Sequence, residues 1–291
     1  MSSALALVSG IVLTTLWGNP YSKVTRAIVT PLLQWSIIGL GAGMNLAVVG
    51  QVGANGVAYT VLGIAFTIAL GLSLAHWLRL ELKLGTLISV GTAICGGSAI
   101  AAVAPVIAAE ERDVTVSLGT VFLLNAAALV IFPVIGHWLG LTQHAFGLWC
   151  ALAIHDTSSV VGATLQFGQE ALDVGTTTKL VRALWIAPVA LIIGSLYRRW
   201  TSDDKGKSKP KTPWFIGGFI LATALVSYFP TLKEPGLIVA TIAKRSLVLT
   251  LFLIGINLTP AMLRTVGVKP IIHGALLWVV VGTTTLGAIL L

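Results

Sequence analysis

Ten apolar stretches, each near the ~20 residues that an α-helix needs to cross a bilayer, fill almost all of this 291-residue chain. They fall at about 3–18, 28–49, 56–78, 85–109, 114–139, 146–168, 176–197, 213–230, 236–258 and 268–291. The longest polar interval runs from Arg198 to Pro213, too short for a soluble domain, so residues 1–291 read as a single transmembrane domain. Charged residues make up 10% of the chain, against roughly 25% in soluble proteins, and mean hydropathy is +0.95. Both values exclude an ordinary globular protein. The strands of a barrel would read as ~10-residue alternating segments rather than continuous apolar runs. The predicted fold class is all-α and polytopic, with the lipid bilayer as its partner.

The net charge of +8 invites a nucleic-acid reading, but its distribution marks topology instead. Arg198, Arg199, Lys205, Lys207, Lys209 and Lys211 crowd one loop. Lys23 and Arg26, Arg79 and Lys83, and Arg264 and Lys269 occupy three others. Placing all four inside satisfies the positive-inside rule. Loops expected around Gln51–Asn55, Gly140–Ala145 and Gly168–Gly175 carry no Lys or Arg and suit the outer face. The first apolar stretch lacks a basic region before it, so it reads as a retained helix with its N-terminus outside. The expected location is a bacterial inner membrane, with no nucleic-acid partner.

Two polar interruptions lie where membrane helices would be deepest. One is Ala93-Ile94-Cys95-Gly96-Gly97-Ser98-Ala99-Ile100-Ala101-Ala102. The other is Ala153-Ile154-His155-Asp156-Thr157-Ser158-Ser159-Val160-Val161-Gly162-Ala163. Ala93, Ile94 and Ser98 recur as Ala153, Ile154 and Ser158. Glycine, hydroxyls, an imidazole and a carboxylate are costly at that depth, so both stretches suggest a site. Paired interruptions of hydrophobic segments point to the substrate site of a secondary transporter.

If 85–109 and 146–168 both cross fully, Gly140–Ala145 becomes cytoplasmic despite having no Lys or Arg. If each is a re-entrant hairpin, the first dips from inside, the second from outside, and Gly140–Ala145 becomes external. The charge rule favours hairpins meeting tip to tip. A second echo, Gly43-Met44-Asn45-Leu46 against Gly255-Ile256-Asn257-Leu258, fits an internal duplication of about 1–140 and 146–291 as inverted repeats. Coincidence in Gly- and Leu-rich sequence is the competing account.

The run Gly91-Thr92-Ala93-Ile94-Cys95-Gly96-Gly97-Ser98-Ala99-Ile100-Ala101-Ala102, then Gly147-Leu148-Trp149, Ile154-His155-Asp156-Thr157-Ser158-Ser159-Val160-Val161 and Lys179-Leu180-Val181-Arg182, resembles the YeiH-type family of bacterial inner-membrane proteins, to which sulfate export is ascribed. The likeness covers most of the chain, from about Ala4 onward, although family members often carry a longer N-terminal region with another helix. It implies an inverted-repeat bundle with broken helices, similar to the bile-acid and glutamate–sodium carriers. The activity it implies is export of sulfate or a related sulfonate.

The residues themselves carry an independent argument. Where a helix restarts after a break, its first N–H groups lack partners and carry partial positive charge. Gly96-Gly97-Ser98 and Thr157-Ser158-Ser159 would each present such a start and favour an anion, with hydroxyls adding donors. The same hydroxyls and freed carbonyls suit a coupling sodium ion equally. The candidate substrate site is therefore Cys95, Gly96, Gly97, Ser98, His155, Asp156, Thr157, Ser158 and Ser159.

Asp156 is the carboxylate that the apolar stretches enclose, and its charge needs a partner or a proton, which suits proton coupling. Lys179 and Arg182, three apart on one helical face, have three open roles: pairing with Asp156, binding the anion, or anchoring at the interface. His155 either relays protons or stays neutral and hydrogen-bonded in the bundle.

Cys95 and Cys150 form no metal or disulfide pattern, and Cys95 reads as a small packing residue beside the site. Lys244 and Arg245 interrupt the stretch 236–258, so its helix is expected to begin after them. Trp17, Trp77, Trp138, Trp200 and Trp214 lie near predicted helix ends and read as interface anchors. An enzyme built on Ser98 and His155 lacks the closing glycine of a strained nucleophile turn and a convincing third partner. A channel would also ring a pore with hydroxyls, and saturable counter-flow separates it from a carrier. The expectation is an anion carrier working by alternating access, with no cofactor, no metal, and protons or sodium as coupling ions. Homodimers are common in such folds, but no motif marks one here.

Overall fold

The computed structural model describes residues 3–201, 214–258 and 266–291. Lys205, Lys207, Lys209, Lys211 and Arg264 lie outside the described residues. The chain runs α1 (Ser3–Trp17), α2 (Ser22–Gly41), α3 (Leu46–Trp77), α4 (Leu82–Ala93), α5 (Gly97–Val103), α6 (Glu111–Trp138) and α7 (Gln143–Ala153). It continues with α8 (Thr157–Phe167), α9 (Gln169–Ala183), α10 (Ile186–Thr201), α11 (Trp214–Tyr228), α12 (Lys233–Asn257) and α13 (Val268–Leu290). There is no strand among the described residues. Six stretches are individually long and apolar enough to cross a bilayer: Ser22–Gly41, Thr60–Trp77, Glu111–Trp138, Gln169–Tyr197, Pro230–Asn257 and Val268–Leu290. The protein is an all-α, multi-pass membrane protein, because only helices or closed barrels satisfy every backbone group in lipid.

Helix boundaries depart from the apolar pattern in four places, one being the loop expected at Gly168–Gly175, which belongs to α9 from Gln169 onward. The loop expected at Gln51–Asn55 is helical, part of α3. Without competing water, the glycines there do not release the backbone from its helical bonds. The turn falls earlier, at Ala42–Asn45, where the Asn45 side chain caps α3 by accepting from Ala47 N–H at 2.8 Å. The stretch 176–197 is broken between α9 and α10, at Leu184–Trp185, just before Pro188, which has no N–H to continue a ladder. Finally, α12 runs unbroken through Lys244 and Arg245. Lys244 reaches a polar cavity, where its Nζ donates to Gln169 Oε1 at 2.7 Å, while Arg245 is exposed.

Both interrupted stretches fold back on themselves. Lys83, at the start of α4, donates to Ala108 O, past the end of α5, at 2.7 Å. Arg112 lies 3.9 Å from Glu81, which fixes the same return. At the other hairpin, the Glu170 N–H donates to Gln143 Oε1 at 3.1 Å, and Phe146 stacks on Phe167 with ring centroids 3.8 Å apart. Between them α6 runs the length of the bundle. Its first turn shares a cavity with Arg79 and Lys269, while His137 in its last turn stacks on Phe167 at 4.3 Å. The two hairpins therefore approach from opposite ends. Arg26, Arg79, Lys83 and Lys269 all gather at the end where α6 begins.

Helices α1, α2, α11 and α12 pack mainly on one another, and α3–α10 with α13 form a second group; the two meet chiefly where α8 packs on α12 and α1, with smaller contacts of α1 on α6 and of α11 on α3. Small residues hold the first group together. Gly10 of α1 and Gly255 of α12 lie so close that a Cβ on Gly255 would sit 3.2 Å from Gly10 Cα. Gly39 of α2 and Gly43, in the turn after it, face Ala243 and Ala240 of α12. In lipid, where burying apolar area gains nothing, such close backbone approach is what drives helices together. The echo thus has a packing component: both its glycines seat a neighbouring helix. Its asparagines diverge, since Asn257 accepts from Thr25 Oγ1 at 2.7 Å and Asn19 Nδ2 at 3.1 Å, whereas Asn45 caps α3. Trp17, Trp77 and Trp138 end α1, α3 and α6, Trp214 begins α11, and each is exposed, as interface anchors require.

Candidate functional site

The first hairpin breaks where α4 stops at Ala93. Ile94 takes φ −120° and ψ −87°, and Gly96 takes φ +63° and ψ −123°, a conformation that side chains disfavour. Gly97 then opens α5, a helix of 7 residues. In the second hairpin α7 stops at Ala153, and Asp156, with extended backbone, is the N-cap of α8.

The two breaks meet. A Cβ on Gly96 would lie 3.4 Å from Asp156 Cβ and 3.5 Å from its Cα, with Val121 of α6 at 3.2 Å. From the same helix, Asn125 Oδ1 accepts the Asp156 N–H at 3.2 Å. Sequence reasoning missed Asn125, a lone amide inside the apolar stretch 114–139, which was the available signal. Gly97 borders Leu118 and Phe122 of α6, at 3.2 and 3.5 Å from its would-be Cβ, and Ser98 is exposed on the same short helix. No hydrogen bond joins Ser98 to the second hairpin.

The start of α8, expected from the sequence to be bare, is occupied by Asp156. Its Oδ2 accepts the Ser158 N–H at 3.1 Å and also the Ser158 hydroxyl. A carboxylate suits a helix N-terminus for the same reason that a bound anion would. Thr157, Ser158 and Ser159 are all buried.

Lys179 and Arg182 are completely buried on α9. Neither forms an ion pair with Asp156; the ion pairs among the described residues are Arg112–Glu81 and His144–Glu170. Nor are they interface anchors. They bind the carbonyls that the broken helices leave free. Lys179 Nζ donates to Ile154 O at 2.6 Å and Ala151 O at 3.3 Å. Arg182 donates through Nε to Ala93 O at 2.5 Å and through Nη1 to Leu152 O at 2.5 Å. Two cations thus satisfy the C-terminal ends of α4 and α7, where carbonyls are unpaired and the helix dipole is negative. One guanidinium spans both hairpins.

Several buried polar groups near the tips remain without a hydrogen-bond partner: the donors Asn125 Nδ2 and Arg182 Nη2, and both ring nitrogens of His155. His155 is fully buried, 6.5 Å between ring centroids from Trp278. Cys95 and Cys150 are free buried thiols. Cys95 sits in the apolar cluster with Ala93, Ile94 and Val121, as a packing residue should.

Two opposed hairpins whose broken tips meet inside a bundle of long apolar helices define a polytopic membrane protein with a polar centre. The chain belongs to the family described as conserved hypothetical protein 698, which matches residues 1–274. It is 60% identical to a UPF0324 membrane protein of Bdellovibrio bacteriovorus over all of this chain and 90% of that one. It is 45% identical to a UPF0324 membrane protein of Geobacter sulfurreducens over 99% of this chain and 91% of its relative. A UPF0324 membrane protein of Porphyromonas gingivalis is 44% identical over the whole chain and 88% of the relative. No solved structure matches the chain.

Proposed function

We propose that this protein is a secondary carrier of the bacterial inner membrane that exports a small oxyanion, such as sulfate or a sulfonate, by alternating access. The observation that carries the reading is a set of buried, unpartnered polar groups on residues that hold the two hairpin tips: Asn125, whose Oδ1 accepts the Asp156 N–H, Arg182, whose Nε holds Ala93 O, and His155, next to Asp156 in the chain. Donors without acceptors are rare in proteins and suit a ligand rich in acceptor oxygens. The YeiH-type resemblance agrees with that chemistry. The opposed hairpins support an inverted internal repeat of about 1–140 and 146–291.

Asp156 supplies a coupling mechanism. Its carboxylate holds the α8 donors that a substrate oxyanion would use. Two anions do not share those donors without strong repulsion in a low-dielectric site. Protonation of Asp156 removes its charge and lets the substrate take its place, so anion and proton bind together.

The test is flux of labelled sulfate, sulfite and small sulfonates in proteoliposomes under an imposed pH gradient. Saturable flux that responds to the gradient supports the carrier. Non-saturable conductance would replace it with a channel, and no flux of any anion by folded protein would discard the anion class.

A further inference from the structure

Two cavities lie on the boundary between the helix groups, one toward each end. The first, about 280 Å³, is lined by Arg26 and Thr30 of α2, Thr115 and Phe122 of α6, and Asn257 of α12. The second, about 290 Å³, lies between α2 and α12 on one side and α9 on the other. Their electrostatics differ. In the second, Gln169 bridges Lys244 and Asp173, accepting from Lys244 Nζ at 2.7 Å and donating to Asp173 Oδ1 at 2.6 Å. Its one cation is balanced by a carboxylate. The first contains one charged group, Arg26, no carboxylate lines it, and Arg26 takes no part in the ion pairs of the described residues. Its remaining polar groups are hydroxyls and an amide.

The first cavity also reaches toward the hairpin tips. Leu118 and Phe122, which line it, are the side chains against Gly97. It opens at the end of the bundle where Arg79, Lys83 and Lys269 gather, the cytoplasmic end by the positive-inside rule. A guanidinium facing a cleft with low-dielectric walls concentrates anions there, and its planar fork matches an oxyanion bidentately.

We infer that Arg26 captures the anion at the cytoplasmic mouth of this cavity, before it reaches the hairpin tips, which makes Arg26 a substrate-binding residue and sets the loading side. This rests on the carrier reading above. It also gives export a structural basis: the loading side holds an uncompensated positive charge and the releasing side does not.

The experiment is sulfate counter-flow with the substrate presented at the cytoplasmic face in inside-out vesicles, or at the other face in right-side-out vesicles. Arg26→Gln is expected to raise KM at the cytoplasmic face about tenfold, at the low end of electrostatic capture effects, and to raise the KM at the opposite face far less. Arg26→Lys, which keeps the charge, should restore most of the loss, and raised salt should narrow the gap between wild type and Arg26→Gln. An unchanged KM at the cytoplasmic face, or an equal rise at both faces, overturns the capture role while leaving the carrier intact. No saturable counter-flow in the wild-type protein overturns both.

Discussion

Gly96 and Asp156 stand against each other across two chain reversals, close enough that a Cβ on Gly96 would touch the Asp156 side chain at 3.4 Å. Because Gly96 also takes φ +63°, a side chain there is opposed by both backbone strain and its neighbours. Gly96→Ala is expected to destabilise the protein by about 1–3 kcal/mol, the usual magnitude for such strain, and to lose transport. Gly287→Ala, in α13 with nothing within 4 Å of the added Cβ, serves as the control. Thermal unfolding in detergent reads both. Equal melting of the two variants would mean that the tip contact imposes no constraint.

Arg182→Met keeps an unbranched apolar stem, shorter by the guanidinium head, and removes every donor. It leaves Ala93 O and Leu152 O buried and unpaired, which costs about 1–3 kcal/mol for each such group. A large fall in melting temperature is expected, with Lys179→Met showing a smaller one because Lys179 serves the second hairpin alone. If Arg182→Met melts like the wild type, the two hairpins do not depend on the shared cation.

Asp156→Asn removes the charge while leaving an oxygen to accept the Ser158 N–H, so the cap of α8 should persist. The expected outcome is a folded protein that exchanges anions in counter-flow but no longer responds to a pH gradient. Retained proton-coupled flux would remove Asp156 from the coupling mechanism.

Thr142, the N-cap of α7, accepts the Ala145 N–H at 3.2 Å at the end of the bundle away from the basic residues. A cysteine placed there should react with a membrane-impermeant thiol reagent added outside intact cells. Labelling only after permeabilisation would reverse the orientation. The two native thiols are buried and should contribute little background.

The hairpins were legible from loop charge: a short segment free of Lys and Arg, Gly140–Ala145, already favoured re-entry. The tips were legible because polar groups are expensive in lipid, since Gly96, Asp156 and the hydroxyls beside it have no other cause to sit so deep. The partners of Lys179 and Arg182 were not. A carbonyl is present at every residue, so no sequence signal separates a cation that seeks carbonyls from one that seeks a carboxylate. The self-capped start of α8 was hidden likewise, because Asp156 reads equally as a cap or as a free acid until its rotamer is known. The continuity of α12 through Lys244 depended on Gln169, 75 residues away in sequence, offering its side chain.

The grip of Arg182 on both hairpins bears on what is free to move. Because one side chain anchors the α4 and α7 ends together, parting the tips would strand a guanidinium in an apolar interior, so the two half-crossings act as a single strut that belongs to neither end of the bundle. For a carrier of the kind proposed, opening first to one side and then to the other would fall to the boundary between the helix groups, and the polar centre would travel with the strut as fixed cargo space instead of being dismantled at each turn.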